Sequence, residues 1–312
     1  MRNSRTWSVW PDSASQKKYT RMRRRIAGRR LPCTGICCGM RKFENVDVGG
    51  YILSACVRAG DDPMPVVHIN ARGTAQDQWD LVLPRLYLHT TVTYDRPGLG
   101  ESAPLPPPLA EQPRTLGALA DELHRLLDVL LLESPRVIVG HSVGALIALM
   151  YAARHPAHTA GLVLVDCTTF EHFAANHWPP REGDDGHPGS SLLDTPGSVA
   201  ELDTAVLPPV PAAALASAPG RWARLTATDV AEFAPLTPQE LDDRWQQGQR
   251  LIAEKLGALL VVADFAGHHI PIEQPELVSA CITAVATAAR SSVPVSIPPE
   301  QLRYAGGTCP AR

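Results

Sequence analysis

The chain has 312 residues, of which 45% are hydrophobic and 20% are charged. This balance is ordinary for a globular protein and excludes a wholly disordered chain, and no apolar run reaches the roughly 18 residues that a membrane span needs. The formal net charge of −3 is unevenly distributed, because residues 1–42 hold twelve Lys or Arg and a single acid, which leaves +11 in this head and −14 in residues 43–312.

The basic head, residues 1–42, shows no apolar periodicity and predicts a disordered segment. Its arginine cluster is not followed by the apolar stretch of a secretory signal. Its cysteines, Cys33, Cys37 and Cys38, lack a second ligand pair at zinc-site spacing, and the seven cysteines of the chain form no disulfide pattern. We therefore expect reduced thiols, no metal, a cytoplasmic protein and no binding of nucleic acid by the head.

Beyond the head, strand-like and helix-like segments alternate. Leucines recur on one helical stripe from Leu116 to Leu130, with Thr115 as a plausible N-cap, and a second helix is expected from Val143 towards His155. Such alternation is typical of a mostly parallel sheet with helices on both faces. The strand candidates in this part of the chain are residues 66–70, 91–95, 136–140 and 161–166.

Residues 167–240 interrupt the alternation, because they are rich in proline, glycine and aspartate. Such a segment predicts a cap or lid inserted into the main domain, with a possible penultimate strand near residues 212–216. Three aromatic residues of this segment, Trp178, Trp222 and Phe233, are candidates for an apolar pocket.

The alternation resumes in residues 241–290, with a strand at 258–263 and a last helix near 275–290. We therefore expect an α/β core made of residues 43–166 and 241–290. A proline-rich tail, residues 291–312, is expected to follow it.

Ser142 is the central residue of the run Gly140-His141-Ser142-Val143-Gly144. A nucleophile on a sharp strand-to-helix turn needs small residues two positions before and two positions after it, so that the backbones can approach. The run before this pentapeptide is strand-like and the run after it is helix-like. The pattern predicts Ser142 as a catalytic nucleophile.

A serine hydroxyl is a poor nucleophile unless a positioned base takes its proton, and histidine is the usual base. The strand at 258–263 ends in a loop that presents His268 and His269. We expect His268, which directly follows Gly267, to be the base, with His269 as its competitor. His141 is expected to pack or to polarise its surroundings locally.

Four motifs follow one another along residues 44–290: Thr93 to Ser102, the Ser142 pentapeptide, Leu162 to Asp166, and Ala266 to Ile270 with Gln274-Pro275. In this order they resemble the α/β-hydrolase superfamily, and within it the lid-bearing branch that includes esterases and lipases. The resemblance implies the α/β-hydrolase fold with a cap insertion and no need for a cofactor. It gives the Tyr94-Asp95-Arg96-Pro97-Gly98 turn an architectural role.

The resemblance also implies an oxyanion hole made of two backbone N–H groups. One belongs to Val143, which follows the nucleophile, and the other belongs by position to Arg72 in the loop of residues 70–74. The family usually has glycine where this chain has Ala71.

The carboxylate that orients the base histidine is the least defined member. Many members of the family carry it after the penultimate strand, but residues 217–220 contain no acid. Others carry it at the end of the strand after the nucleophile, where this chain has Asp166. We expect Asp166 in this role, with Asp229, Asp243 and Asp203 as alternatives.

The expected reaction is hydrolysis of an ester or related acyl bond through an acyl-enzyme, on a small molecule with an apolar acyl part. The same triad could serve a thioesterase, acyltransferase, perhydrolase or carbon–carbon bond hydrolase, and a non-catalytic ligand-binding homologue is the alternative of another class. Haloalkane dehalogenase and epoxide hydrolase activities are disfavoured, because those relatives need Asp at the position of Ser142.

Overall fold

The computed structural model describes residues 43–132, 135–175, 190, 192–228, 230 and 233–310. Nine strands of these residues form one sheet in the order β1-β2-β4-β3-β5-β6-β7-β8-β9. The strands are β1 Phe43–Asp47, β2 Ile52–Arg58, β3 Asp62–Ile69, β4 His89–Tyr94, β5 Arg136–His141, β6 Thr159–Val165, β7 Ala212–Ala216, β8 Leu259–Ala263 and β9 Gly307–Thr308.

The sheet is parallel through its centre, from β4 through β3, β5, β6 and β7 to β8. Only its edges are antiparallel, with β1 on β2, β2 on β4, and β9 on β8. The expected mostly parallel sheet is thus confirmed. Because the carboxyl ends of parallel strands meet at one edge, the residues that follow β5, β6 and β8 emerge close together.

Helices cover both faces of this sheet. In the described residues they are α1 Pro107–Ala110, α2 Leu116–Val129, α3 Val143–Arg154, α4 Phe170–Ala175, α5 Thr195–Thr204, α6 Pro238–Leu256, α7 Ile270–Glu273, α8 Pro275–Ser291 and α9 Pro299–Ala305. The expected cap of α2 is present, since the Thr115 hydroxyl accepts from the Ala118 amide at 3.2 Å.

Two apolar cores lie on opposite sides of the sheet, because successive side chains of a strand point to opposite faces. Leu162 and Leu164 of β6 belong to the core that also holds the buried faces of α2 and α3. Val163 and Val165 of the same strand belong to the core under α8. The sheet is therefore buried on both faces, as a parallel sheet requires.

Three parts of the chain differ from a simple core, cap and tail. Within residues 167–240, the strand expected near residues 212–216 is present as β7, which lies inside the sheet between β6 and β8. At the start of the described residues, β1 and β2 form a hairpin that the strand candidates did not include. The basic head, residues 1–42, lies outside the described residues.

The tail is the third difference, because residues 291–310 contain α9 and also β9, which pairs with β8 at the sheet edge. The side-chain amide of Gln274 donates to the carbonyls of Ala305 at 3.1 Å and Gly306 at 2.6 Å. These bonds tie the tail to the start of α8, which explains why a proline-rich segment forms regular structure here. No helix of the described residues is long and apolar enough to cross a membrane.

Candidate active site

Ser142 sits at the tight turn that joins β5 to α3. Its backbone angles, φ 58° and ψ −121°, lie in a region that L-residues rarely adopt. A Cβ on Gly140 would collide with the carbonyl of Gly144, and a Cβ on Gly144 would lie 2.5 Å from the carbonyl oxygen of Asn70. The two glycines therefore allow the close backbone approach that holds Ser142 at the tip of the turn.

His268 lies in the loop between β8 and α7 and reaches across to Ser142. Its Nε2 is 3.0 Å from the Ser142 Oγ, and its Nδ1 is 2.6 Å from the Oδ2 of Asp166. His269, the competing histidine, precedes α7, and its ring centre lies 5.7 Å from that of His268. Of the two imidazoles in this loop, His268 is the one that the structure places between Ser142 and Asp166.

Asp166 directly follows β6, has a positive φ of 41°, and is fully buried. Both of its carboxylate oxygens accept hydrogen bonds. Oδ1 accepts from the Ser217 amide and from the Trp245 indole, each at 2.9 Å, while Oδ2 accepts from Arg221 Nη1 at 3.0 Å and faces His268.

The surroundings of Asp166 favour its charged form. Burial alone would raise the pKa of this carboxyl, but the hydrogen bond with His268 and the charge of Arg221 outweigh it and hold the pKa below its usual range. An ionised carboxylate only accepts hydrogen bonds, so Nδ1 of His268 carries the proton. Nε2 is then the acceptor that faces the Ser142 hydroxyl, which is the arrangement that general-base catalysis needs.

Two of the other candidate acids, Asp203 and Asp243, have exposed side chains away from Ser142 and His268. Asp203 is exposed on α5, and Asp243 is exposed on α6, where it accepts from the side chain of Gln239 at 3.0 Å. Asp229 lies outside the described residues.

Thr168 is a neighbour of Ser142 that sequence reasoning missed. Its hydroxyl lies 3.2 Å from the Ser142 Oγ, and its amide donates to the Ser142 carbonyl at 3.3 Å. The structure therefore gives the Ser142 hydroxyl two polar neighbours, His268 and Thr168. No local motif marks Thr168, since its position follows from the pairing of β5 with β6.

Asn70 and Ala71 open the loop that was expected to supply the second oxyanion donor, and buried groups fix their backbone. The Arg96 guanidinium donates to the carbonyls of Asn70 at 2.8 Å and Ala71 at 2.9 Å. The Asn70 side chain donates to the Tyr94 carbonyl at 2.8 Å. The turn that contains Arg96 was expected to have an architectural role, and in the structure Arg96 holds this loop.

The two expected oxyanion donors are the backbone amides of Val143 and Arg72, which belong to two neighbouring segments. Val143 is the first residue of α3, so its N–H has no acceptor within the helix. Arg72 follows Ala71 in the loop whose Asn70 carbonyl packs against Gly144. The structure thus brings the Arg72 loop against the start of α3.

His141 contacts the backbone of the loop that carries His268. Its Nε2 donates to the His268 carbonyl at 2.7 Å, and burial lowers its pKa well below the usual value. A neutral, buried His141 therefore helps to hold the loop of His268, in line with the packing role expected for it.

The aromatic candidates for a substrate pocket are packed against one another. Trp222 and Phe233 are buried with ring centres 5.6 Å apart, and Trp222 also lies 5.8 Å from Trp245. These side chains form an apolar cluster beside Asp166 instead of an open pocket, and Trp178 lies outside the described residues. Among the residues described, no group of three or more His, Cys, Asp or Glu side chains is placed to hold a metal ion.

Comparison with known proteins agrees with this architecture. Residues 66–280 match the model of the alpha/beta hydrolase family, and the chain therefore belongs to that family. Over 94 residues it is 36% identical to an AB hydrolase superfamily protein of Gibberella zeae, an alignment that covers 30% of this chain and 28% of the relative. The chain thus matches about a quarter of the length of that curated relative.

Solved structures share the fold at low sequence identity. A mutant of a Pseudomonas aeruginosa protein assigned as an epoxide hydrolase is 17% identical with a TM-score of 0.58, covering 83% of this chain and all of the other. An Acinetobacter baumannii protein assigned as a lipase is 16% identical with a TM-score of 0.54, covering 93% of this chain and all of the other. These likenesses confirm the α/β-hydrolase fold that the motifs predicted.

Proposed function

We propose that the chain is a serine hydrolase that cleaves an ester or related acyl bond of a small molecule through an acyl-enzyme. The observation that carries the proposal is the continuous contact from the Ser142 Oγ to His268 at 3.0 Å and from His268 to Asp166 at 2.6 Å. A serine, a histidine and a buried carboxylate at such distances are the parts that nucleophilic catalysis uses.

In the proposed reaction, the Ser142 Oγ attacks the substrate carbonyl while His268 Nε2 takes the hydroxyl proton. Asp166 stabilises the imidazolium that forms, and the amides of Val143 and Arg72 donate to the oxyanion of the tetrahedral intermediate. His268 then gives its proton to the leaving alcohol, which leaves an ester on Ser142. A water molecule, deprotonated by His268, attacks that ester. The bond to the Ser142 Oγ then breaks, His268 returns the proton to this oxygen, and the acid is released.

A serine at the tight turn between β5 and α3, Ser142, favours acyl transfer over epoxide opening. The relatives with epoxide hydrolase activity need Asp at this position, and a serine there forms a hydrolysable ester with an acyl group. The acyl part of the substrate is proposed to be apolar, because Val143, the residue next to the nucleophile, presents a partly buried apolar side chain.

Labelling with a fluorophosphonate probe tests the nucleophile. The wild-type protein should be labelled, and Ser142→Ala should abolish labelling while the circular dichroism spectrum stays the same. Ser291→Ala removes an exposed hydroxyl at the end of α8 and is the matched control, which should label like the wild type. An unlabelled but folded wild type, or labelling that survives in Ser142→Ala, would overturn the proposal.

A panel of p-nitrophenyl esters of increasing acyl length then tests the substrate class. Values of kcat/KM that rise with acyl length support an apolar acyl part. Turnover of thioesters but not of the matching oxygen esters would point to the thioesterase alternative.

A further inference from the structure

Arg221 is a cation that lies beside Asp166, the carboxylate that faces the base histidine. It follows β7 in the turn that contains no acid, and its Nη1 donates to Asp166 Oδ2 at 3.0 Å. The same oxygen lies 2.6 Å from His268 Nδ1. The guanidinium and the imidazole therefore share one carboxylate oxygen.

The guanidinium of Arg221 lies over two neighbouring aromatic rings. Its central carbon lies 4.7 Å from the ring centre of Trp222 and 4.7 Å from that of Trp245, and the side chain is only 13% exposed. Two aromatic faces against the guanidinium favour a cation and restrict its movement. Arg221 is therefore fixed by its surroundings and is not a flexible surface arginine.

The backbone on each side of Arg221 is fixed as well. The buried carboxylate of Asp242, on α6, accepts from the amide of Gly220 at 2.7 Å and from the amide of Trp222 at 2.9 Å. Gly220 has a φ of 87°, which favours glycine in this turn. Two carboxylates thus hold the residue, Asp166 through its side chain and Asp242 through its neighbours' amides.

A cation beside Asp166 makes His268 less ready to take up a second proton. Protonated His268 would bring a second positive charge to an oxygen that already pairs with Arg221. Like charges at such separations repel, and the repulsion is weakly screened where side chains are buried. The guanidinium offsets part of the attraction by which Asp166 favours the protonated imidazole.

Other titratable groups also lie around His268, and burial keeps two of them neutral. From β5, His141 is kept neutral because burial lowers its pKa well below the usual value. Next to Asp166, burial raises the pKa of the Cys167 thiol, which is therefore also neutral. From α6, Trp245 presents an uncharged ring, and Asp242 binds the turn amides of Arg221's neighbours. His269 lies beside His268 in its own loop, 5.7 Å away between ring centres.

We propose that Arg221 is a positioning residue that acts through Asp166 to extend the activity of His268 as a base to lower pH. This inference rests on the proposed function, since it assigns a role within that same site. It adds a residue that neither the motifs nor the family match marks.

The sign of the effect follows from the charges. The base is active when neutral, so the acid limb of kcat/KM reports the protonation of His268 in the free enzyme. Removing the neighbouring cation makes protonation easier and moves this limb to higher pH. A neutral residue at position 221 should therefore lower activity on the acid side and leave the plateau at higher pH nearly unchanged.

The experiment compares pH profiles of ester hydrolysis for the wild type, Arg221→Gln and Arg221→Lys. In Arg221→Gln we expect the midpoint of the acid limb to move to higher pH by about one unit. On the acid side this shift lowers kcat/KM about tenfold. Arg221→Lys keeps the charge and should restore the wild-type limb. Arg224→Gln removes an exposed cation three residues away in the same turn and is the matched control, with an unchanged profile.

A merely structural Arg221 predicts a different result. The plateau of Arg221→Gln would fall at every pH while the acid limb stayed in place, and this outcome would overturn the proposal. An unchanged profile would overturn it as well. Arg221→Met keeps an apolar side chain against the two indoles, and it takes the place of the glutamine variant if that variant does not fold.

A measurement without substrate separates this inference from the proposed function. The midpoint of His268 protonation can be followed by NMR of the imidazole, with His268→Gln to assign its signal. A midpoint that rises in Arg221→Gln supports the role of Arg221 even if no ester is turned over. An active enzyme with the same midpoint in both proteins would overturn the inference and leave the proposed function standing.

Discussion

Asp166 accepts hydrogen bonds on both carboxylate oxygens, from Ser217 and Trp245 on one and from Arg221 on the other, which also faces His268. An asparagine there would turn an N–H group towards at least one of these donors. When its oxygen accepts from Ser217 and Trp245, its NH2 group faces His268. The imidazole then turns a lone pair on Nδ1 to this donor and carries its proton on Nε2, so the acceptor that faces Ser142 is lost.

We therefore expect Asp166→Asn to lower kcat for a p-nitrophenyl ester by about four orders of magnitude, the loss typical of a triad with the wrong histidine tautomer. Steady-state kinetics measure the loss, and thermal melting checks that the variant is folded. Asp243→Asn and Asp203→Asn remove the exposed alternatives and should keep wild-type turnover. Near-normal turnover in Asp166→Asn would transfer the role to another acid, with Asp229 the next to be replaced.

The site residues differ in how far the sequence alone could predict them. Ser142 and His268 stand in short motifs directly after strand-like runs, so local pattern was enough to single them out. Asp166 needed a choice among four acids, because only the fold shows which one reaches His268. Thr168 and Arg221 carried no local signal, since their contacts with Ser142 and Asp166 join residues 26 and 55 positions apart.

At the scale of elements, the junction of β5 and α3 depends on the absence of side chains at two positions. A methyl group on Gly140 would collide with the backbone carbonyl of Gly144, and a backbone atom cannot rotate away as a side chain can. The junction also carries the strained Ser142, so any shift that relieves the collision displaces the nucleophile.

Gly140→Ala is therefore expected to lose both stability and activity. We expect a loss of about 1–3 kcal/mol in the free energy of unfolding, the range for strain in a tightly packed core, and ester hydrolysis at least a hundredfold slower. Chemical denaturation and steady-state kinetics measure the two losses.

Gly267→Ala is the control for stability, because its added carbon would meet only the Glu273 carboxylate at an ordinary 3.5 Å. It should unfold within about 1 kcal/mol of the wild type. Wild-type stability and turnover in Gly140→Ala would contradict the prediction, because the junction of β5 and α3 would then relax without moving Ser142.

Elements that were predicted from the sequence are the ones with a strong local pattern. The leucine stripe of α2 and the apolar runs of β5 and β6 bury one or two continuous faces, and their bounds were found within a few residues. The hairpin strand β1 is mostly exposed, so it lacks an apolar pattern. Strand β9 has two residues and exists through its pairing with β8 and the Gln274 contacts, which no local pattern encodes.

For the molecule as a whole, buried histidines link folding to pH. His68 is fully buried, packs against Trp79, and places Nδ1 3.1 Å from the Val92 carbonyl. Burial lowers its pKa to about 4 and also lowers the pKa of His141. These rings are neutral in the folded chain at pH values where they would take up protons in the unfolded chain.

The direction of the pH effect follows from this difference. A histidine whose folded pKa is depressed contributes stability above its unfolded value of about 6.5, and the contribution is lost as the pH falls. For His68 the loss at pH 5 amounts to about 2 kcal/mol, because the unfolded chain binds the proton first. The stability that the depressed pKa of Asp166 contributes is fully present between pH 5 and pH 7. It is lost only at lower pH, below the ordinary range of a carboxyl.

We therefore expect the melting temperature to fall by several degrees between pH 7 and pH 5, measured by circular dichroism at constant ionic strength. His68→Asn keeps an N–H donor for the Val92 carbonyl and removes the titrating ring. This variant should melt lower than the wild type at pH 7, because contact with Trp79 is lost, and its melting temperature should fall less on the way to pH 5. If the melting temperature of both proteins fell equally between pH 7 and pH 5, protonation of His68 would not cause the loss of stability. The acid sensitivity would then arise at other groups.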